Sequence, residues 1–291
     1  MTHSLRACSA RALSAIALAA VVSATPAFAQ DATSAAATRD SHFDGLYIQG
    51  FGGYSAQSQD KQERLKFDTD GDGSYNNTVN TVTGANAFSP GFCTGLARGA
   101  TPAAGCRGDR DGAEYGARIG YDRRMGDWVV GGLIEGTKSN ARDGVSGYST
   151  TPASYAIQRE MDYSITARAR AGYTPGGGAL FYVTGGGGIA KLDHDFYTTN
   201  TTNAFDPQRD GKMVWGWQAG GGTEIMVTNK ISLGLEYLYN RYYDDKYNVV
   251  VTQGSSAGSN PFIQASDATR IKSSDKNFDY HSLRATVGFR F

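Results

Sequence analysis

Apolar residues recur at every second position along residues 281–291, the most regular stretch of the chain. Two sets of side chains would occupy opposite faces, Leu283, Ala285, Val287, Phe289 and Phe291 against Ser282, Arg284, Thr286, Gly288 and Arg290. Successive side chains of a β-strand point to opposite sides, so this alternation predicts a strand with one apolar and one polar face.

Seven further segments repeat the alternation, at residues 45–54, 114–123, 128–138, 155–173, 179–192, 212–227 and 231–243. In the fourth of them, parity places Met161 on the apolar face with Tyr163, and Asp162 on the polar face. Strands of about 9–11 residues are long enough to cross an outer membrane at a tilt. The pattern therefore predicts eight membrane-crossing strands.

The connections between these strands alternate in length. Residues 124–127, 174–178 and 228–230 make short ones, whereas residues 56–113, 139–154, 193–211 and 244–277 make long, polar ones. Transmembrane barrels have short periplasmic turns and long extracellular loops. The predicted fold is an all-β, eight-stranded, antiparallel up-and-down transmembrane barrel over residues 43–291, with four long extracellular loops.

The polar face of the predicted strands carries most of their charge. Seven charged residues would point inward and pair as a hydrogen-bonded network in the lumen: Arg118, Glu135, Arg168, Arg170, Glu224, Glu236 and Arg284. The other face is aliphatic and aromatic. A soluble barrel would place its charges outside, so this arrangement suits a bilayer.

The first residues predict export. Arg6 and Arg11 precede an apolar run that ends near Ala24. After this run, Ala27-Phe28-Ala29 forms a small-residue cleavage site. We expect a signal peptide at residues 1–29, cleaved near Ala29, and a flexible lead-in at residues 30–42.

Composition narrows the choice of partners. Removing the two arginines of the signal from 28 basic residues leaves 26 against 28 acidic ones, a net charge near −2. Nucleic-acid-binding proteins are usually strongly basic, so no nucleic-acid partner is expected. Outside the signal there is no apolar run of about 18 residues, which excludes a helical membrane protein. After cleavage Cys93 and Cys106 remain, and an even pair in an oxidising compartment predicts a disulfide.

The signal sequence, the first strand Gly45-Leu-Tyr-Ile-Gln-Gly50, the eight alternating strands and Phe291 resemble the small opacity-type, porin-like outer-membrane proteins of Gram-negative bacteria, which are similar to the OmpA transmembrane barrel. This resemblance implies an outer-membrane location among lipid and lipopolysaccharide. It also implies that Phe289 and Phe291 belong to a strand read by the barrel assembly machinery. The long first loop with its cysteine pair departs from the family, and the resemblance implies no catalytic residue and no cofactor.

One loop motif suggests calcium. Asp68, Asp70 and Asp72 have the spacing of the first ligands of a calcium loop, but Val79 stands where the bidentate acid should be. A solvated acidic turn is the favoured interpretation.

Two catalytic motifs are weaker. The sequence Gly185-Gly-Gly-Gly-Ile-Ala190 matches the spacing of a dinucleotide-binding motif, but the amphipathic helix that the motif requires does not follow it. A glycine-rich strand is expected instead. His281 and Ser282 are adjacent and would point to opposite faces, so they cannot form a lipid-hydrolase dyad.

The expected function is therefore an outer-membrane anchor that displays its loops for envelope integrity, adhesion or contact with an extracellular ligand. A narrow solute channel is the alternative, and a lipid-modifying enzyme is the third choice.

Overall fold

A computed structural model of the protein describes residues 42–58 and 62–291. The predicted signal peptide and all but the last residue of the predicted lead-in lie outside these residues. The described part of the chain forms sixteen strands: β1 Gly45–Gln57, β2 Leu65–Asp68, β3 Gly91–Thr94, β4 Leu96–Ala97, β5 Cys106–Arg107, β6 Gly112–Met125, β7 Trp128–Ser139, β8 Arg142–Ser149, β9 Ala153–Tyr173, β10 Ala179–Thr198, β11 Ala204–Gln208, β12 Lys212–Met226, β13 Ile231–Tyr243, β14 Asn248–Thr252, β15 Ala268–Ser273 and β16 Asn277–Arg290.

Within the described residues, helix is confined to three short 3-10 turns, Pro102–Ala104, Pro175–Gly177 and Pro261–Ile263. No helical segment within residues 42–58 and 62–291 has the length and apolar character needed to cross a membrane.

Eight long strands close into a barrel. Around the ring they follow the order β1, β6, β7, β9, β10, β12, β13 and β16, and β16 returns to pair with β1. Every pairing is antiparallel, and each strand lies beside its neighbours in chain order. The predicted eight-stranded antiparallel barrel is confirmed. The ends of the predicted strands differ from the observed ones by a few residues, except that β10 runs further, to Thr198.

Alternation holds along most of these strands, but it reverses once in β9. The prediction placed Met161 on the outer face, whereas its side chain is 1% exposed and packs inside. The pairing between β9 and β10 shifts here, because Lys191 lies opposite Tyr163 while Leu192 lies opposite Met161. A bulge of this kind adds one residue to a strand and inverts the parity beyond it. The extra residue, Asp162, lies on the exterior, where it pairs with Lys138 and Lys191.

The four long connections, which the sequence predicted only as long polar loops, contain regular strands. They contain β2 to β5 in residues 56–113, β8 in 139–154, β11 in 193–211, and β14 and β15 in 244–277. β8 pairs with the first half of β9, and β11, β14, β15 and β2 make a separate four-stranded sheet. We call these eight strands, with the segments that join them and the adjoining ends of β9 and β10, the head.

The head has its own hydrophobic core. Fourteen buried residues form it: Leu65, Phe67, Val79, Ala87, Phe88, Val145, Ala153, Tyr155, Ile157, Tyr247, Val249, Val251, Phe262 and Ile271. They come from three of the long connections and from β9, a few from each. The connections are polar over most of their length, and their apolar residues form a core only when the connections pack together. Non-local packing therefore decides the structure of the head.

The outside of the barrel is apolar. Its middle carries side chains about half exposed, including Ile119, Ile134, Val183, Leu235, Leu283 and Val287. Aromatic residues lie on both sides of this band. Near the short turns they are Tyr121, Trp128, Tyr173, Phe181, Phe289 and Phe291, and towards the head they are Tyr54, Tyr115, Tyr163, Trp215, Tyr237 and Tyr243. Two aromatic girdles around an apolar band are typical of a transmembrane barrel.

Candidate functional site: the charged lumen and the head

The centre of the lumen is organised around Glu236 on β13. Arg118 of β6 donates from Nη1 to both carboxylate oxygens, at 2.9 and 2.8 Å. Arg168 of β9 donates to the same carboxylate at 3.2 Å, and the hydroxyl of Tyr182 donates to it at 2.9 Å. Four hydrogen bonds from three strands thus satisfy one buried carboxylate.

Glu135 on β7 forms the neighbouring node. It accepts hydrogen bonds from Arg168 and Arg284, each at 2.6 Å, and Arg284 also donates to Glu114. The guanidinium of Arg284 stacks over the ring of Phe51, 4.5 Å from its centroid. Charge-assisted hydrogen bonds of this kind are about twice as strong as neutral ones.

A second layer closes the lumen near the short turns. Two arginines, Arg170 and Arg290, each contact both Asp122 and Glu224, so that the four groups form a ring of ion pairs. The Tyr47 ring lies between the two guanidinium groups, 4.5 and 4.8 Å from them. The four charged side chains of this layer are at most 5% exposed.

The two layers balance in charge. Five arginines face five carboxylates: Arg118, Arg168, Arg170, Arg284 and Arg290 against Glu114, Asp122, Glu135, Glu224 and Glu236. All ten residues are at most 4% exposed. Unpaired charges in such a place would be very costly, whereas paired and hydrogen-bonded ones are tolerated.

The structure places all seven charged residues that the sequence assigned to the lumen inside the barrel and in ion pairs with one another. Sequence reasoning missed Glu114, Asp122 and Arg290. The signal was available, because Glu114 and Asp122 share the strand parity of Arg118, and Arg290 shares that of Arg284.

A third group of charges lies in the head, around Arg159 of β9. This guanidinium donates to Asp143 at 2.5 Å, to Asp244 at 3.3 Å and to Asp275. His194 contacts Asp244 at 2.8 Å. Glu63 lies beside these groups and is 7% exposed. Burial, with the negative charge of Asp143, raises the pKa of Glu63 to about 9.

The cysteine pair also belongs to the head. Cys93 at β3 and Cys106 at β5 form the predicted disulfide, with 13 residues of separation. The hydroxyl of Tyr148 lies 3.6 and 3.2 Å from the two sulfurs. This prediction is confirmed.

The acidic turn at residues 68–73 holds its leading carboxylate with its own chain. Asp68 accepts hydrogen bonds from the N–H groups of Gly71 and Gly73 and pairs with Arg270 at 3.2 Å. Asp68, Asp70 and Asp72 do converge, with oxygens within 4.8 Å of one another. The turn is nevertheless explained by these hydrogen bonds, and we assign no ligand to it.

The remaining motifs are structural. The glycine run that begins at Gly185 lies inside β10. On β16, His281 contacts the hydroxyl of Tyr237 at 2.7 Å on one side of the sheet, whereas Ser282 accepts from Asn240 at 2.9 Å on the other.

The barrel is closed, its exterior is apolar with aromatic rims, and its interior is ion-paired. Such a surface is suited only to a lipid bilayer. Barrels of this kind that span a bilayer are outer-membrane proteins. The chain is accordingly an outer-membrane β-barrel protein, with a disulfide in its head.

Sequence comparison agrees with this class. The chain is 27% identical over 184 residues to the 31 kDa outer-membrane immunogenic protein of Brucella melitensis biotype 1, and the same values hold for that of Brucella suis biovar 1. The alignment covers 60% of this chain and 65% of the relative, so it spans slightly less than two thirds of the relative's length. No family model matches the chain.

Among solved structures, the chain is similar to the outer membrane protein OprG from Pseudomonas aeruginosa, with 12% identity, a TM-score of 0.44, and coverage of 87% of this chain and 98% of that one. The chain is also similar to Neisserial surface protein A, with 14% identity, a TM-score of 0.35, and coverage of 85% of this chain and 98% of that one.

Proposed function

We propose that this protein is a non-conducting outer-membrane anchor that displays a folded head outside the cell. The observation that carries the proposal is the lumen. The side chains of Arg118, Arg168 and Arg284 and of their carboxylate partners are wholly inaccessible to solvent. An eight-stranded barrel has an interior just wide enough for side chains to fill. A lumen filled in this way supports an anchor and not a channel.

The head supports display. Its core of aromatic and aliphatic residues and its disulfide give the long connections a defined surface, whereas a simple pore needs no such structure. The Brucella relatives are named as immunogenic, which suits a protein whose head is accessible from outside. The partners we expect are outer-membrane lipid with lipopolysaccharide, the barrel assembly machinery, and an extracellular ligand of the head.

Conductance tests the anchor directly. Refolded protein in planar bilayers should give no steady unitary current. The narrow-channel alternative requires currents that change when the lumen charge is reversed, for example in Arg168→Glu. Such currents in the wild type would overturn the anchor proposal.

Surface labelling tests the orientation. Short epitope tags inserted at Thr83 or Gly258, which are exposed in the head, should be detected on intact cells. A tag at Asn229, in the turn between β12 and β13, should be detected only after the outer membrane is permeabilised. The reverse result would place the head in the periplasm and refute display.

A further inference from the structure

Three carboxylates of the head lie close together, and Arg159 contacts two of them. Glu63, Asp143 and Asp275 each place a carboxylate oxygen within 4.8 Å of the other two. Arg159 is shared between Asp143, Asp275 and Asp244, so it supplies one positive charge to three acids before Glu63 is counted. Buried charges of one sign are costly unless an opposite charge is supplied.

Glu63 is the member of the cluster that the protein leaves without compensation. Its side chain is buried, and Oε2 has no hydrogen-bond partner among the described residues. Its raised pKa has the same cause, because burial and the nearby acids oppose its ionised form. A buried carboxylate oxygen without a donor is expensive, and one that faces two other carboxylates suits a cation better than another N–H group.

The spacing of the oxygens fits calcium. Calcium binds oxygen ligands at about 2.3–2.6 Å, so two ligands on opposite sides of the ion lie about 4.6–5.2 Å apart. The 4.8 Å limit on the three carboxylates is compatible with that distance. Calcium tolerates irregular coordination, whereas magnesium demands a near-ideal octahedron.

We propose that Glu63, Asp143 and Asp275 bind a calcium ion that joins three of the four long connections of the head. Glu63 belongs to the connection between β1 and β6, Asp143 to that between β7 and β9, and Asp275 to that between β13 and β16. The ion would tie these segments together close to Arg159. The proposal concerns the head alone, and it holds whether or not the barrel conducts.

The test is calorimetric titration of the refolded, chelator-treated full chain with calcium chloride at pH 10, above the raised pKa of Glu63, so that this carboxylate is ionised. We expect one saturable site with a Kd of about 0.1–1 mM, the range of extracellular calcium modules. Glu63→Gln should weaken binding at least tenfold, about 1.4 kcal/mol. Asp72→Asn, in the separate acidic turn, is the matched control and should bind as the wild type does. Magnesium should bind more weakly than calcium.

Proteolysis gives a second readout. Calcium should protect the head of the wild type, and of Asp72→Asn, from protease, but not that of Glu63→Gln. Each variant is first checked for heat-modifiable mobility of the barrel and for a wild-type protease pattern of the head without calcium, and Asp275→Asn replaces Glu63→Gln if the latter fails either check. Absence of saturable binding by the wild type, or wild-type binding by Glu63→Gln, would refute the site. Loss of binding in Asp72→Asn alone would place the ion in residues 68–73 and also refute it. Equal binding of magnesium would refute the assignment to calcium.

Discussion

At the residue scale, the barrel interior depends on a few carboxylates that each serve several arginines. Glu236 has contacts with Arg118, Arg168 and Arg284, and it also accepts from Tyr182. Removing one such group does not remove one ion pair. It leaves several buried guanidinium groups short of an acceptor, and this penalty exceeds the net value of any single pair.

Glu236→Ala should therefore destabilise the barrel by about 3–5 kcal/mol, the usual cost of leaving a buried partner unpaired. Urea unfolding of the protein in lipid vesicles measures the change. Glu160→Ala is the control, because the pair between Glu160 and Arg142 is partly exposed, with side-chain exposures of 35% and 44%. Surface pairs contribute about 0–1 kcal/mol. Equal effects of the two substitutions would mean that water, and not the network, solvates the lumen charges.

At the element scale, the glycine run of β10 lets neighbouring strands approach closely. A Cβ added to Gly186, on the inner face, would lie 2.0 Å from the carbonyl oxygen of Ala167 on β9. The same addition to Gly185, on the outer face, would meet its nearest atom at 3.5 Å. An added Cβ therefore clashes with a neighbouring strand at Gly186 but not at Gly185.

Gly186→Ala should destabilise the barrel by about 1–3 kcal/mol, the typical cost of overpacking, because the backbone of β9 must move. Gly185→Ala should behave as the wild type in the same urea titration. If both alanine variants unfold at the same urea concentration as the wild type, close approach of the strands does not explain the glycine run of β10.

The last strand also deserves a test, because its aromatic residues were predicted to serve assembly. Phe291 is 68% exposed in the girdle near the turns, its ring contacts that of Phe289, and its N–H donates to Leu46 of β1 at 3.1 Å.

We expect Phe291→Asp to lower the amount of heat-modifiable protein in the outer membrane several-fold, because a charge replaces an interfacial aromatic ring. Phe291→Tyr keeps the ring and should assemble normally. Wild-type levels of assembled Phe291→Asp would remove Phe291 from any assembly signal.

At the scale of the whole molecule, barrel and head are stabilised by different interactions. The barrel has a closed hydrogen-bonded ring with ion pairs inside, whereas the head has a hydrophobic core and the disulfide. Loss of the disulfide should consequently affect the head and spare the barrel.

Replacing both Cys93 and Cys106 by serine should destabilise the head by about 3 kcal/mol, the chain-entropy value for a loop of this size. Limited proteolysis should cut the head of the variant faster, while its heat-modifiable mobility stays unchanged. A loss of that mobility would show that head and barrel unfold as one unit.

The sequence alone determined the barrel. Apolar residues recur at every second position along residues 281–291 and in seven other segments, and this period predicts strands without knowledge of their partners. Short turns between successive strands make them antiparallel neighbours, which leaves few topologies other than the barrel. The same parity places Arg118, Arg168 and Glu236 in the lumen. Cys93 and Cys106 were predictable because they are the two cysteines that follow the signal.

Only the tertiary structure decided the rest. The bulge at Asp162 depends on how β9 pairs with β10, and parity along one strand cannot reveal it. The head core gathers Phe88, Val145 and Ile271 from three separate connections, and the pattern within one connection cannot show that these residues meet. The cluster of Glu63, Asp143 and Asp275 arises in the same way. Local periodicity encodes the barrel, because each strand carries its own two faces, whereas the core of the head forms only where segments distant in the chain meet.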